Sequence, residues 1–301
     1  MLQATANAAF SPRVKRPRRA FPAASRRRRD RRAAAAKTVP TPHDTRTNPA
    51  NIHPPSGVIR QIADAAAVSP GLWDVLTICV TACLSLGIQQ FVGSEETFAA
   101  LFSPRASDPY WILRYKAWWV SCIVVSFLAI PAIVMSLLPG NRLRDCNLSF
   151  MGFRRHFWIY VGLYAVVLPI IWLVSLSPAF YDFYPMYPQA GRSWFDLLAW
   201  ESLYAAQFLA LEFFFRGFLV GGLARHIGVL SIPVSVMPYM MLHFQKPWPE
   251  ASASVVAGLV LGVLAWKLKS IWGGVVVHCA VASTMDFLAL AHKSQLPWLH
   301  H

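Results

Sequence analysis

The sequence predicts an all-α, polytopic transmembrane helical bundle of about seven spans, with six to eight compatible with its segments. Three observations carry that expectation. Of 301 residues, 55% are hydrophobic and only 14% charged, where a soluble domain carries about 25% charged residues. Several apolar runs reach the length of about 20 residues that a helix needs to cross a hydrocarbon core of roughly 30 Å. Twelve Trp and nine Tyr, many flanking those runs, suit the two membrane–water interfaces.

The charge divides the chain into two regimes. Residues 1–48 hold thirteen Lys/Arg against two acids, Asp30 and Asp44, and so supply +11 of the formal +14. A domain boundary is expected there: a basic, Pro/Ala-rich tail and linker over 1–56, without an apolar face, then a membrane-embedded helical domain over 57–301. Composition of this kind favours disorder. The residues leave several roles open for the tail: none at all, contact with anionic lipid headgroups, an organelle transit segment, or nucleic-acid contact. No aromatic residues interleave the Arg runs to stack on bases, so nucleic acid is the weakest of these. The five cysteines form no CxxC pair and no regular framework, which argues against a disulfide scaffold and against a thiolate zinc site.

The spans follow in order along the body. The first is near 72–93, the second near 117–138 with Pro131 as a weak point, and the third near 157–177 with Pro169. A Pro- and Tyr-rich loop over 179–191 leads to the fourth, near 195–224. The fifth covers about 228–243 with Pro233 and Pro238, the sixth 253–267 and the seventh 271–291. The last three connections are short, so these helices are expected to be neighbours. With a cytoplasmic N-terminus, seven spans place Arg142, Arg144, Arg154, Arg155, Arg225, Lys267 and Lys269 inside. This is a weak positive-inside bias, compatible with the inner or plasma membrane of a cell. No internal repeat of the kind found in transporters is visible.

Ionisable side chains at membrane depth cost about 2.5–3.5 kcal/mol each on the insertion scale, and so single out functional candidates. Glu212 and Arg216 stand in EFFFRG (212–217) at i and i+4, on one helix face. Alone, the pair reads equally well as a buried ionic staple. His243 closes the fifth segment, and His278 lies inside the apolar stretch GGVVVHCAVASTMDF (273–287). Two imidazoles and a carboxylate steadied by arginine are the donors that a hydrolytic site uses to activate water, directly or on a divalent metal. His243, His278 and Glu212 are the expected metal ligands, with zinc the first choice. Glu250, with Lys246, either folds over the mouth of that site or sits in the headgroup layer. Asp286 lies eight residues after His278, about 80° away in direction, and is expected to orient a polar group rather than to ligate.

Three blocks in this order, EFFFRG at 212–217, YMMLHF at 239–244 and the helix carrying His278, resemble the CPBP family of intramembrane proteases. That family includes the type II CAAX prenyl endopeptidases and the Abi-type membrane proteins. The resemblance covers roughly 195–291. It implies an intramembrane metalloendopeptidase acting on membrane-associated peptides or proteins within the lipid bilayer. In its terms Glu212 and Arg216 match the second glutamate and the arginine of the first motif, while Tyr239 and His243 match the aromatic and the histidine of the second. His278 matches the histidine of the third. Two positions depart: Leu211 replaces the first glutamate, usually assigned to water activation, and Ala282 replaces an asparagine. The expected compensation is that Glu212 or Glu250 acts as base and Asp286 supplies the polar function missing at Ala282. The competing readings are a non-catalytic membrane scaffold or immunity partner that keeps the polar network structurally, and a transporter.

Overall fold

The computed structural model describes residues 56–68, 71–103 and 108–299. The basic tail expected over 1–56 lies, but for its last residue, outside these. Among the described residues the protein is built from helices, without a strand, as expected for backbone that must satisfy its own hydrogen bonds in lipid. In chain order they are α1 (Ser56–Val68), α2 (Leu72–Gly87), α3 (Glu95–Phe102), α4 (Trp111–Ile123), α5 (Ile130–Leu137), α6 (Phe150–Arg155) and α7 (Phe157–Ser175). There follow α8 (Pro178–Phe183), α9 (Trp194–Glu212), α10 (Gly222–Ile227), α11 (Ser231–Met241), α12 (Trp248–Leu268) and α13 (Trp272–His292). Six helical runs are long and apolar enough to cross a bilayer: Leu72–Val92, Trp111–Leu137, Phe157–Ser175, Trp194–Met241, Trp248–Leu268 and Trp272–His292.

The count differs from seven for a local reason. The run Trp194–Met241 has 48 residues, but it turns at Gly228, whose φ of 58° is open to glycine at little cost. Beyond the turn, α11 has 11 residues and is about 16 Å long, half of what a span needs. The expected fifth span is therefore a half-length helix, folded back against the preceding segment and against α12.

The middle of the bundle is the segment Phe213–Gly221, which follows α9 with the wider π-helical hydrogen bonding. Every residue of it is buried. This accounts for the FFF run, because a helix that is apolar all round must be enclosed by others. Phe214 stacks on Phe127 with centroids 4.4 Å apart, and Phe215 meets Tyr239 edge-on at 5.2 Å. Ile78, Met135 and Ile271 close the same core from α2, α5 and the start of α13. Pro131, at the start of α5, follows a second π-helical stretch, Val124–Ala129. The run thus continues through the place where proline removes a backbone donor. Pro169 is likewise accommodated inside α7, a peripheral helix lying along α13.

One end of the bundle is tied together by polar contacts between loops. Ser149 N–H donates to Lys269 O at 2.9 Å, and Ile271 N–H to Asn147 O at 2.8 Å. Asn147 Nδ2 donates to Arg216 O at 2.7 Å, joining the loop after α5 to the central π-helical segment. That loop seats Cys146, which is fully buried. Burial, with Asp145 adding to it, pushes its thiol pKa up to about 12.

Candidate active site

Glu212 ends α9 and Arg216 lies one turn on, in the π-helical segment. Both are buried, at 0% and 2% exposure. Arg216 Nη1 stands 3.2 Å from Glu212 Oε1. The guanidinium carbon also lies 4.2 Å from the centroid of the Tyr239 ring, so the cation is shared between a carboxylate and an aromatic face. The carboxylate is pressed against α13 at Gly274. A Cβ there would come within 2.1 Å of Glu212 Oε2, so only glycine leaves room for it.

His278 is one turn further along α13, and its Nδ1 is 2.8 Å from Glu212 Oε1. On its other side Nε2 is 3.0 Å from the Tyr239 hydroxyl. The Phe208 ring from α9 stacks on the imidazole at 5.3 Å, with 4° between planes. Nδ1 thus faces the carboxylate, and Nε2 faces the Tyr239 hydroxyl. His243, in the turn after α11, lies 2.9 Å through Nδ1 from Tyr239 O, which leaves its Nε2 without that commitment. Burial and the neighbouring Lys246 charge pull its pKa down to about 4, so the ring is neutral at ordinary pH. The two histidines flank Tyr239, with ring centroids 4.8 Å (His243) and 6.3 Å (His278) from it.

The Glu212 contacts are close but off-line for hydrogen bonding. Both of its carboxylate oxygens, both terminal nitrogens of Arg216, His278 Nδ1 and the Tyr160 hydroxyl from α7 remain buried without a hydrogen-bond partner. A structural staple satisfies its polar atoms, whereas orphaned ones mark strain or a chemical role.

The other expected residues are placed elsewhere. Glu250, in the first turn of α12, takes both of its oxygens to the Tyr184 hydroxyl, at 2.8 and 2.7 Å, and pairs with Lys246. Lys246 Nζ also donates to the same hydroxyl at 3.0 Å. Glu250 and Lys246 are thus a pair locked to each other and to the loop before α9. Burial, reinforced by Tyr204 and the Glu250 carboxylate, drives the Tyr184 phenol far above its usual pKa and keeps it a donor. Asp286 accepts from Trp200 Nε1 at 2.6 Å, orienting the indole that packs in the same cluster as Ala282. The Ala282 position is filled by packing among Trp200, Tyr204 and Phe208. Leu211 is buried in the central core.

A divalent metal on His243, His278 and Glu212 was the sequence expectation. The Nδ1 of each histidine faces a carboxylate or a carbonyl, so Nε2 is the nitrogen that ligation would use. Glu212, however, faces His278 Nδ1 and so stands behind the ring rather than beside a shared ligand position. Among the described residues no group of three His, Cys, Asp or Glu side chains is arranged to hold a metal ion. The residues as placed do not fit the expected three-ligand centre, and the chemistry below is derived from the side chains alone. Sequence reasoning missed Tyr184, Phe208 and Gly274. Of these only Gly274 left a trace, as half of a GG pair opening an apolar helix.

With this arrangement described, the comparison with known proteins is direct. Residues 193–284 match the family model described as type II CAAX prenyl endopeptidase Rce1-like. The matched segment is similar to the Rce1-like family. It covers α9 through most of α13 and contains Glu212, Arg216, Tyr239, His243 and His278, so the resemblance expected from three short blocks extends over a continuous segment of about a third of the chain. No curated protein and no solved structure matches the chain. The Rce1-like match and the apolar helical runs together give a multi-pass membrane protein related to CAAX-type proteases.

Proposed function

We propose that the protein is an intramembrane endopeptidase whose water-activating unit is the Glu212–His278 dyad. Glu212, held by Arg216, fixes the imidazole with its proton on Nδ1 and stabilises the imidazolium that forms, as the carboxylate does in a Ser-His-Asp triad. Nε2 then takes a proton from water entering where the Tyr239 hydroxyl now sits. The water oxygen attacks the peptide carbonyl carbon, and the imidazolium returns the proton to the amine nitrogen as the C–N bond breaks. Tyr239, released from Nε2, donates to the developing oxyanion, in surroundings poor in water where such a bond is strong. The neutral Nε2 of His243 accepts a hydrogen bond from the other O–H of the water and so aims its oxygen. The dyad thereby performs what the glutamate missing at Leu211 does elsewhere in the family.

The observation that carries this reading is the set of orphaned buried atoms around Glu212, together with the Tyr239 hydroxyl 3.0 Å from Nε2. The substrate class proposed is the carboxyl-terminal region of a membrane-anchored protein, prenylated CAAX tails included, with the Lys246–Glu250–Tyr184 group at the entrance. One observation favours a second reading. Leu211 is packed into the aliphatic and aromatic core, as expected if the polar network had become purely structural in a non-catalytic membrane scaffold.

The test is hydrolysis of a prenylated CAAX-tailed peptide and of an unmodified membrane-anchored peptide by purified protein in proteoliposomes. Cleavage of either that is lost in His278→Ala, with the fold retained, supports the peptidase. Absence of cleavage of both by the wild type supports the scaffold.

A further inference from the structure

The basic end of the bundle holds a second site, independent of the peptidase reading. An open cavity of about 710 Å³ is lined there by Arg142, Arg144, Asp145, Arg225, Trp266 and Lys269. These come from three separate segments: the loop after α5, the end of α10, and the link from α12 to α13. Four cations thus face one carboxylate, and that carboxylate is committed, because Asp145 Oδ2 accepts from the Arg142 backbone N–H at 2.9 Å. Arg225 is fixed as part of the wall by Nη1, which donates to Gly140 O at 2.7 Å and to Asn141 Oδ1 at 2.9 Å. Arg144 and Lys269 enter no ion pair among the described residues. Lys269 Nζ hangs 5.8 Å from the Trp266 ring centroid. Cations gathered in one basin without counter-charge repel each other, and an anion in the basin relieves that repulsion.

We propose that this cavity binds the phosphate of an anionic phospholipid headgroup. Phosphate chemistry is indicated by the guanidinium forks of Arg142, Arg144 and Arg225, whose geometry matches phosphate oxygens. A lipid source is indicated by the position. The cavity opens where the spans Trp111–Leu137 and Trp248–Leu268 end and where Phe157–Ser175 and Trp272–His292 begin, at headgroup level. The loop that forms its rim exposes Leu143, Phe150 and Met151, followed by Arg154 and Arg155 at the end of α6. Exposed apolar side chains beside arginines suit an interfacial segment, and Trp266 suits the same layer. Basic pockets between transmembrane helices are established headgroup sites.

The experiment is native mass spectrometry of the full-length protein in detergent, titrated with phosphatidylglycerol or phosphatidylcholine, with inorganic phosphate as competitor. The variant is Arg144→Gln/Lys269→Asn. Asparagine is chosen because Lys269 has φ 53°, a left-handed conformation that asparagine tolerates. The N-terminal basic run is present in both proteins, so the difference between them belongs to the cavity. At about 1 kcal/mol per basic residue, loss of two weakens phosphatidylglycerol binding about 25-fold, while the single variant Arg144→Gln gives about fivefold and Arg144→Lys/Lys269→Arg retains it. Thermal melting verifies the fold of each variant, and the single substitution carries the test if the double fails to fold. Equal binding of phosphatidylglycerol by wild type and variant overturns the proposal, as does equal binding of the two lipids by the wild type. Displacement by inorganic phosphate at concentrations comparable to the lipid's overturns the lipid assignment in favour of a soluble anion.

Discussion

His278 Nδ1 and Glu212 Oε1 stand 2.8 Å apart, although 66 residues separate them and they belong to different spans. The contact makes the carboxylate a partner of the imidazole rather than a second donor beside it.

Tyr239→Phe removes the hydroxyl at Nε2 and keeps the ring on which Arg216 rests. The expected result is a fall in kcat of about 100-fold, in the range of a lost oxyanion donor, with KM little changed. Folding stability should drop by only about 1 kcal/mol, the net worth of one hydrogen bond. Steady-state kinetics and thermal melting check both.

Gly274→Ala puts a methyl 2.1 Å from Glu212 Oε2. Because the carboxylate is enclosed, something must shift, at about 1–3 kcal/mol for overpacking. Peptidase activity should fall at least about tenfold as the dyad is displaced. The same substitution at Gly162, whose Cβ would meet nothing within 4 Å, should leave activity unchanged.

Glu250→Gln separates the two carboxylates that the sequence offers for water activation. Glu250 is bound to Tyr184 and Lys246, so its neutral isostere should raise KM a few-fold and keep kcat within about threefold. Glu212→Gln should cost kcat about 100-fold or more, in the range for a general base and its orienting partner. A kcat loss in Glu250→Gln equal to that in Glu212→Gln would add Glu250 to the water-activating unit.

His243 contributes a defined pH dependence. Its folded-state pKa, about 4, lies below the unfolded value of about 6.5. Between these pH values the unfolded chain binds a proton that the folded chain does not, so stability falls as pH drops from about 6.5 to about 4. His243→Gln should flatten that part of the melting-temperature profile. Cys146 offers a test of loop docking: with its thiol raised to about 12 and fully buried, it should resist maleimide in the native protein and react after denaturation.

The sequence made legible what depends on local pattern. Apolar run lengths gave an all-helical membrane protein, and three short blocks gave the resemblance that the match over 193–284 bears out. Glu212 and Arg216 are one turn apart on any helix, so their pairing could be read directly. Six spans lie within the six to eight expected, but which stretch falls short could not be read, because the fold-back at Gly228 that precedes the fifth stretch does not register in hydropathy. Nor could the partners of Glu250 and Asp286. Tyr184 and Trp200 are 66 and 86 residues from them, and such contacts are fixed by tertiary packing rather than by spacing. Asp286 was expected to stand in for the residue missing at Ala282. In the structure it accepts from Trp200, a partner that spacing along the chain does not name.

Whether Glu212 and His278 act as one unit is measured most directly by a double-mutant cycle on peptide hydrolysis. Rates for the wild type, Glu212→Gln, His278→Ala and the double variant are compared in proteoliposomes, with melting temperatures confirming the fold. Residues that act together are strongly non-additive. The prediction is a loss of about 100-fold or more in each single variant and no further loss in the double. Losses that multiply in the double variant, or full turnover in either single one, would contradict the dyad.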